Sequence, residues 1–308
     1  MAVCSYIYCR SPLEEGRPEC RVCGHPGDDA ALMDPRLLAE CRIQGLPERI
    51  LDMHQILPAR EGMLEAQLLA MGSLGIGRAL LQSAPDQATS LYGNSKLVEL
   101  AEREPALFWI SQFVDPRMPR AVAELERIAA AGIRVVKLLP PAGFRLDDAA
   151  HEPFLRRMEE LALVAMVHTG FITARHKQEE ARAGIFMSSL HADPLTLDRP
   201  ARQFPRLTFI LCHLGGAVWH EGAAQMVTQH DNVWGDVSGF GVVALQRLLQ
   251  ARAAVDWGKV FWGNDSPPFA YPLNLRLLLH SLHRNGAESL APRLLFENGQ
   301  RFADSFLA

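Results

Sequence analysis

Histidine and aspartate side chains stand at the ends of several apolar runs in this chain of 308 residues. The run LALVAMVHTG ends with His168 before a glycine, and LTFILCHLGG ends with His213 in the same way. A third run, KVFWGNDSPP, carries Asp265, and an earlier one, RILDMHQILP, carries Asp52 and His54. Imidazole and carboxylate groups ligate divalent metals and transfer protons near neutral pH. These residue types indicate a metal site or an acid–base site, provided that the fold brings the ends of the runs together.

The apolar runs have the character of buried parallel strands, and segments of helical period separate them. We predict strands over 49–54, 79–82, 107–113, 133–139, 162–168, 207–213, 232–237 and 260–264. Helices are predicted over 63–74, 94–103, 120–131, 152–161, 242–252 and 273–284. Eight alternating units predict an α/β fold, a (β/α)8 TIM barrel spanning residues 48–308. In that barrel the carboxyl ends of all strands meet at one face, which is where we expect the site.

The connection between the fifth and sixth strands, residues 171–204, is long and rich in histidine and arginine. Long loops in compact domains often serve as lids or as substrate-binding loops. We therefore predict that Arg175 and His191 contact the substrate.

Composition restricts the class of protein. A net charge of -4, with no basic run interleaved with aromatic residues, argues against nucleic acid as a partner. The amino terminus lacks the apolar core of a signal peptide, and no apolar run is long enough to cross a membrane. We expect a cytoplasmic protein that acts on a small-molecule substrate and has no membrane partner.

Four of the six cysteines, Cys4, Cys9, Cys20 and Cys23, lie in a polar segment of about 30 residues that precedes the predicted barrel. This segment has too few apolar residues for a core of its own. The turn CRVCG has the form of a metal knuckle, and four thiolates can hold a structural zinc ion. We predict a cysteine-rich extension over residues 1–30, either with one Zn²⁺ or with free thiols on a mobile arm.

Several phrases of the chain resemble, in the same order, the amidohydrolase-2 branch of the amidohydrolase superfamily. They are MGSLGIGRALL, NSKLVELAEREPALFWISQFVDP, AAAGIRVVKLLPPAGFRLDD, LALVAMVHTG, FPRLTFILCHLGG, VFWGNDSP and LLFENGQRF. The resemblance covers about residues 48–305. It implies a barrel with one divalent metal ion, usually zinc, and an enzyme of the kind that includes aminocarboxymuconate semialdehyde decarboxylase. Such enzymes often form homodimers, so a homodimer is expected here.

The resemblance also implies roles for individual residues. His54, His168 and Asp265 stand where the branch has metal ligands, and His213 stands where it has an acid or base. Asp265 would in addition take a proton from the attacking water. Ile56 stands where the branch has its second histidine on the first strand, and alternation puts Asp52, His54 and Ile56 on one inward face. Three protein ligands still suffice for a catalytic zinc ion, and His213 is a possible fourth.

Three further residues admit two interpretations each. Asp52 is either a partner that fixes a histidine or a buried polar group that closes the barrel floor. Asp236, at the end of the seventh strand, either faces the pocket or caps a turn, and we favour the cap. Lys137, on the fourth strand, matches a lysine that bridges two metals in some amidohydrolases. The branch resembled here is mononuclear, so we expect no such bridge.

We predict a hydrolase that uses activated water on a small carbonyl or carboxylate substrate. A decarboxylase or a metal-independent lactonase on the same barrel is the alternative, since the branch includes both. A pseudoenzyme or binding module that lost its metal with the second histidine is the alternative of another class.

Overall fold

The computed structural model describes residues 44–59, 62–84, 91–172, 187–239 and 241–307. Its strands are β1 (Ile50–Ile56), β2 (Ile76–Gln82), β3 (Phe108–Phe113), β4 (Val135–Leu138), β5 (Val164–His168), β6 (Thr208–Cys212), β7 (Val233–Asp236) and β8 (Val260–Phe261). The helices are α1 (Met63–Leu74), α2 (Asn94–Arg103), α3 (Ala121–Ala130), α4 (Glu152–Glu160), α5 (Asp198–Gln203), α6 (Gly216–Gln229), α7 (Gly241–Gln250), α8 (Tyr271–Arg284) and α9 (Asn298–Phe306).

The eight strands form one parallel sheet in the order β1 to β8, each beside its successor in the chain. Backbone bonds between β1 and the residues that follow β8 bring the two edges together. The amide of Met53 donates to the carbonyl oxygen of Trp262 at 3.1 Å, and that of Asp265 donates to His54 at 2.7 Å. The predicted TIM barrel is confirmed, with each predicted strand found within a few residues of its expected bounds.

Alternating strand residues divide the core into two layers, as the two faces of a pleated strand require. One cluster lies inside the barrel and includes Leu51, Met53, Val164, Met166, Ile210 and Phe261. Phe302 of α9 belongs to the same cluster, so α9 closes the floor at the amino ends of the strands. The larger cluster joins the outward strand residues to the surrounding helices. A rigid double-layered wall therefore supports the residues at the strand ends.

Helices α5, α6 and α9 were not predicted, although the six predicted helices are all present within a few residues. The longest helix that the prediction missed is α6. Its sequence, GAVWHEGAAQMVTQ, contains glycines, and Trp219 departs from helical backbone angles. Both features weaken the apolar period on which the prediction relied. The cysteine-rich extension, with Cys4, Cys9, Cys20 and Cys23, lies outside the described residues. Within the ranges that the structure describes, none of the helices has the length and apolarity to cross a membrane.

Candidate active site

The side chains of His54, His213 and Asp265 meet at the carboxyl ends of the strands, which we call the barrel mouth. His54 lies within β1, while His213 and Asp265 lie just beyond β6 and β8. His54 is fully buried, and His213 is 7% exposed. Glycine at position 263 allows the chain after β8 to pass close to β1, since a Cβ there would lie 2.4 Å from the Cβ of His54. The sequence positions expected to carry chemistry are thus brought together by barrel closure.

The imidazole of His54 is held by Asp236, at the end of β7. Its Nδ1 lies 2.8 Å from Oδ2 of Asp236, and both side chains are fully buried. Burial by itself would lower the pKa of His54, but the negative charges of Asp236, which acts most strongly, and of Asp265 oppose this effect, and the pKa is raised to about 10. The same ion pair keeps the pKa of Asp236 well below its usual range, against the opposing effect of burial. Nδ1 therefore carries a proton, and Nε2 is directed into the mouth.

Asp236 also organises the chain around His213. Its Oδ1 accepts hydrogen bonds from the backbone amides of His213 and Ser238, both at 2.9 Å, and from the Ser238 hydroxyl at 2.5 Å. Nδ1 of His213 lies 3.1 Å from the carbonyl oxygen of Ser238. Because a carbonyl oxygen can only accept, Nδ1 of His213 donates, and its Nε2 is left as an acceptor. Burial lowers the pKa of His213, which keeps this imidazole neutral.

Asp265 faces both histidines. Its Oδ1 lies 3.5 Å from Nε2 of His54, and its Oδ2 lies 3.7 Å from Nε2 of His213. Gln82, at the end of β2, donates to Oδ1 of Asp265 at 2.9 Å. Asp265 and His213 both have positive φ angles, of 43° and 63°, which are strained for residues other than glycine. The surrounding bonds hold both residues in these conformations, so their side chains are positioned before any ligand binds.

Lys137, on β4, reaches the same space from the side. Its Nζ lies 3.5 Å from Nε2 of His54 and donates to Sγ of Cys212 at 3.0 Å. Lys137 is 6% exposed, and Cys212 is fully buried in the inner cluster, as expected for a small apolar residue. An ammonium group thus stands beside the histidine nitrogen that points into the mouth.

The ligand atoms of His54, His213 and Asp265 lie within 4.8 Å of one another, a spacing that can hold one metal ion. His54, Cys212 and Asp236 form a second group with that spacing. The first group fits a catalytic site better, because two imidazole nitrogens and a carboxylate converge at the barrel mouth. The bond from Asp236 to Nδ1 of His54 is the outer support that metal-bound histidines usually have. The donors present therefore fit a divalent metal with three protein ligands.

The alternation of strand residues predicted that Asp52 shares the inward face of β1 with His54 and Ile56, but the structure places it elsewhere. Its carboxylate accepts from the backbone amides of His54 and Asn264, each at 3.0 Å, and from the Tyr271 hydroxyl at 2.5 Å. Tyr271 belongs to α8, so Asp52 faces the helical layer and contacts neither the His54 imidazole nor the barrel floor. An irregularity in the pairing of β1 with β2 between Asp52 and Gln55 explains the change of face.

Beyond that irregularity the alternation resumes. Gln55 donates to Gln67 of α1 at 2.6 Å and so faces the helices, which leaves Ile56 on the other face of β1, the face of His54. Asp52 thus fixes the backbone of His54 and not its imidazole, so the first interpretation holds only in part. The second interpretation, a group at the barrel floor, is wrong, because Asp52 bonds to Asn264 and Tyr271. The inward direction of Ile56 agrees with expectation. Asp236 does cap a turn, as favoured, but it holds His54 at the same time.

His168 ends β5 and stacks edge-on against His213, with ring centroids 4.9 Å apart. It is not part of either close ligand group of the described chain, so its role as a metal ligand stays a prediction. His191 lies on the short helix Ser189–Ala192 and is half-buried, and its substrate contact also stays a prediction. Arg175 lies outside the described residues.

The sequence alone missed the supporting roles of Asp236, Ser238 and Gln82. The phrase WGDVSG carried a usable signal, since polar residues directly after a buried strand end at the mouth of a barrel. Gln82 carried none, because a single glutamine at a strand end usually has only a structural role.

Comparisons with known proteins agree with this fold. A family model described as amidohydrolase matches residues 37–292. No curated protein sequence matches the chain. An uncharacterised TIM-barrel protein from Bordetella bronchiseptica superposes with a TM-score of 0.62 at 16% identity, covering 83% of this chain and 98% of that one. Dihydroorotase from Campylobacter jejuni gives 0.55 at 17% identity, with 83% of each chain covered.

A third solved structure contains a metal ion. It is 5-carboxyvanillate decarboxylase LigW2 from Novosphingobium aromaticivorans with bound manganese, at a TM-score of 0.53 and 15% identity, covering 80% of this chain and 81% of that one. At such identities these structures establish only a shared fold. The family model spans most of the chain, from before β1 to the residues after α8. This protein is therefore a member of the amidohydrolase family.

Proposed function

We propose that the protein is a metal-dependent hydrolase that uses activated water on a small carbonyl or carboxylate substrate. One observation carries the proposal: Nε2 of His54 and Nε2 of His213 both face the carboxylate of Asp265, and both Nδ1 atoms are held by other groups. Two imidazole nitrogens and a carboxylate oxygen are a common donor set for catalytic zinc and manganese. His54, His213 and Asp265 would hold the ion.

A bound divalent ion would lower the pKa of a water molecule and polarise the substrate carbonyl group. Asp265 is placed to accept the proton from that water, since its carboxylate lies between two histidines and is oriented by Gln82. Nε2 of His213 would ligate the ion while its Nδ1 donates to the carbonyl oxygen of Ser238, so the acid–base role expected of His213 applies only where no metal is bound. Lys137 supplies a positive charge that would orient a substrate carboxylate.

A second candidate is the same hydrolysis without a metal. Ile56 removes one expected ligand, and the Lys137 ammonium stands 3.5 Å from the histidine nitrogen that would ligate. In this case Asp265 acts as general base on water, and Lys137 and His54 stabilise the developing negative charge. This candidate predicts activity that persists after complete removal of metal.

The test is a panel of esters, lactones, amides and aromatic carboxylic acids, assayed with the metal-loaded protein and with chelator-treated protein. Proton release detects hydrolysis of esters and lactones, release of ammonia or amine detects hydrolysis of amides, and carbon dioxide release detects decarboxylation. On any substrate found, Asp265→Asn should lower turnover by a factor of about 10² to 10⁴, the usual scale for loss of a general base. Asp231→Asn, a change at an exposed position just before β7 and so at the end of the barrel opposite the mouth, is the matched control.

The outcomes separate the candidates. Activity that disappears with the metal supports the metal-dependent hydrolase, while activity that survives chelation supports the second candidate. Carbon dioxide release without hydrolysis overturns both in favour of a decarboxylase. Two results would contradict the proposal that the barrel mouth is a catalytic site. One is no turnover with any member of the panel, and the other is near-normal turnover by the Asp265→Asn variant.

A further inference from the structure

The amino-terminal face of the barrel holds a pocket of about 370 Å³. Its walls come from the first residues of β2, β3 and β4, from the second half of α2, from the turn after α3 and from Leu307 beyond α9. The candidate active site lies at the opposite ends of the same strands, so the two spaces are separate. The volume falls within the range of small-molecule sites, about 300 to 1,000 Å³.

The lining of this pocket is mostly apolar but includes two arginines. Apolar contact is offered by Val98, Ala101, Pro105, Trp109, Ile110 and Ile133, among others, while Arg78 and Arg134 supply positive charge. Glu102 also lines the pocket. Among the residues that the structure describes, neither Arg78 nor Arg134 has a carboxylate partner.

Arg78 is held in place by its surroundings. Its guanidinium carbon lies 4.1 Å from the ring centroid of Trp109, and one Nη donates to the carbonyl oxygen of Pro105 at 3.0 Å. Its Nε is buried and has no acceptor within the described part of the chain. Burial also lowers the pKa of Arg78. A guanidinium that is partly removed from water and lacks a counter-charge is costly, and a bound anion would offset that cost.

We propose that this pocket binds a small organic carboxylate with an apolar body. Arg78 and Arg134 would hold the carboxylate, and the apolar body would lie against Trp109 and the side of α2. An inorganic anion alone would leave the apolar walls in contact with water, so the pocket favours a molecule with both parts. This site is independent of the reaction at the barrel mouth.

Benzoate is a suitable probe, and benzamide, which has the same size and no charge, is its matched control. The readout is the indole N–H resonance of Trp109 in protein labelled with ¹⁵N-tryptophan. The chain has five tryptophans, and the resonance is assigned by its absence from the Trp109→Phe variant. This signal reports on the pocket itself, so binding of benzoate at the barrel mouth does not confuse the result.

We expect benzoate to shift the Trp109 resonance saturably and benzamide to leave it in place. Arg78→Gln and Arg134→Gln should each weaken benzoate binding about tenfold or more, as loss of a charge-assisted hydrogen bond does. Arg103→Gln, an exposed change on α2 outside the pocket, should leave the affinity unchanged. Ala101→Trp, which fills the space and keeps both arginines, should abolish binding.

The Ala101→Trp variant keeps the proposal testable even if the Arg78 variant does not fold. Three results would overturn the proposal. The first is a Trp109 resonance that does not respond to benzoate at millimolar concentration. The second is an equal response to benzamide, which would remove the charge from recognition. The third is unchanged affinity in the two arginine variants and in Ala101→Trp.

Discussion

Metal binding at the barrel mouth should release about one proton from His54, and Asp236 should determine that release. In the metal-free protein the pKa of His54 is raised to about 10 against the effect of burial, and Asp236, 2.8 Å away, is the charge that raises it most. Since pH 7 lies well below this pKa, His54 is almost fully protonated there. A metal must displace the proton from Nε2 in order to bind. His213 adds little, because burial keeps it neutral.

The direction in which metal affinity changes with pH follows from this proton release. Since the proton competes with the metal, affinity should rise with pH, by about tenfold per unit between pH 7 and 9. In the Asp236→Asn variant the charge that raises the pKa of His54 most strongly is gone, while burial and Lys137 still lower that pKa. That variant should release fewer protons from His54 at pH 7 than the parent, and its metal affinity should rise less steeply with pH over the same range.

The assay is calorimetric titration with Mn²⁺ at pH 7 in two buffers of different ionisation enthalpy, which yields the number of protons released. Both proteins should carry serine at Cys4, Cys9, Cys20 and Cys23, so that thiols add no protons. Any proton lost by a metal-bound water is common to both proteins, and the difference between them therefore reports on His54. If the parent protein and the Asp236→Asn variant release equal numbers of protons on binding Mn²⁺, Asp236 does not control the protonation of His54.

Three further predictions concern neighbouring residues. Lys137→Met removes a positive charge that lies 3.5 Å from Nε2 of His54. The variant should bind Mn²⁺ about tenfold more tightly or better, as measured by the same titration. An unchanged affinity would mean that the ammonium group moves away when the metal binds. Ile56→His should also tighten Mn²⁺ binding, because position 56 shares a face of β1 with His54. An affinity equal to that of the parent protein would show that the new imidazole does not reach the metal. Burial raises the pKa of Asp52 to about 7, despite its hydrogen bond from Tyr271. A raised carboxyl pKa contributes stability that is present below about pH 4 and lost as the pH rises through 7, a loss on the order of 4 kcal/mol. Denaturant unfolding of Asp52→Asn at several pH values should show a flatter dependence than the parent protein, and an identical slope would contradict the raised pKa.

Much of the fold could be predicted from the sequence because its signals are local. A buried parallel strand has a continuous apolar run, and an amphipathic helix has a period of 3.6 residues, whatever surrounds them. Asn94–Arg103 and Met63–Leu74 were found with the bounds that they have in the structure. Helix α6 was missed because its glycines and the non-helical backbone angles of Trp219 hide that period. Packing against the neighbouring elements decides its conformation instead.

Residue types at strand ends also indicated which side chains could carry chemistry, since a barrel must bring those ends to one face. His54, His213 and Asp265 could be proposed in this way without knowledge of any distance. The family resemblance added the expected roles, including that of His168, which stays a prediction.

Only the tertiary structure decided how these groups are oriented and charged. Asp236 lies 182 positions from His54 along the chain, yet its contact at 2.8 Å selects the nitrogen that faces the mouth and raises the pKa of that imidazole. The irregularity in β1 turned Asp52 toward Tyr271, although strict alternation predicted an inward side chain. Orientation and charge depend on groups that approach through space and on the loss of water around them. Neither is encoded in the spacing of residues along the chain, so both could be read only once the barrel had closed.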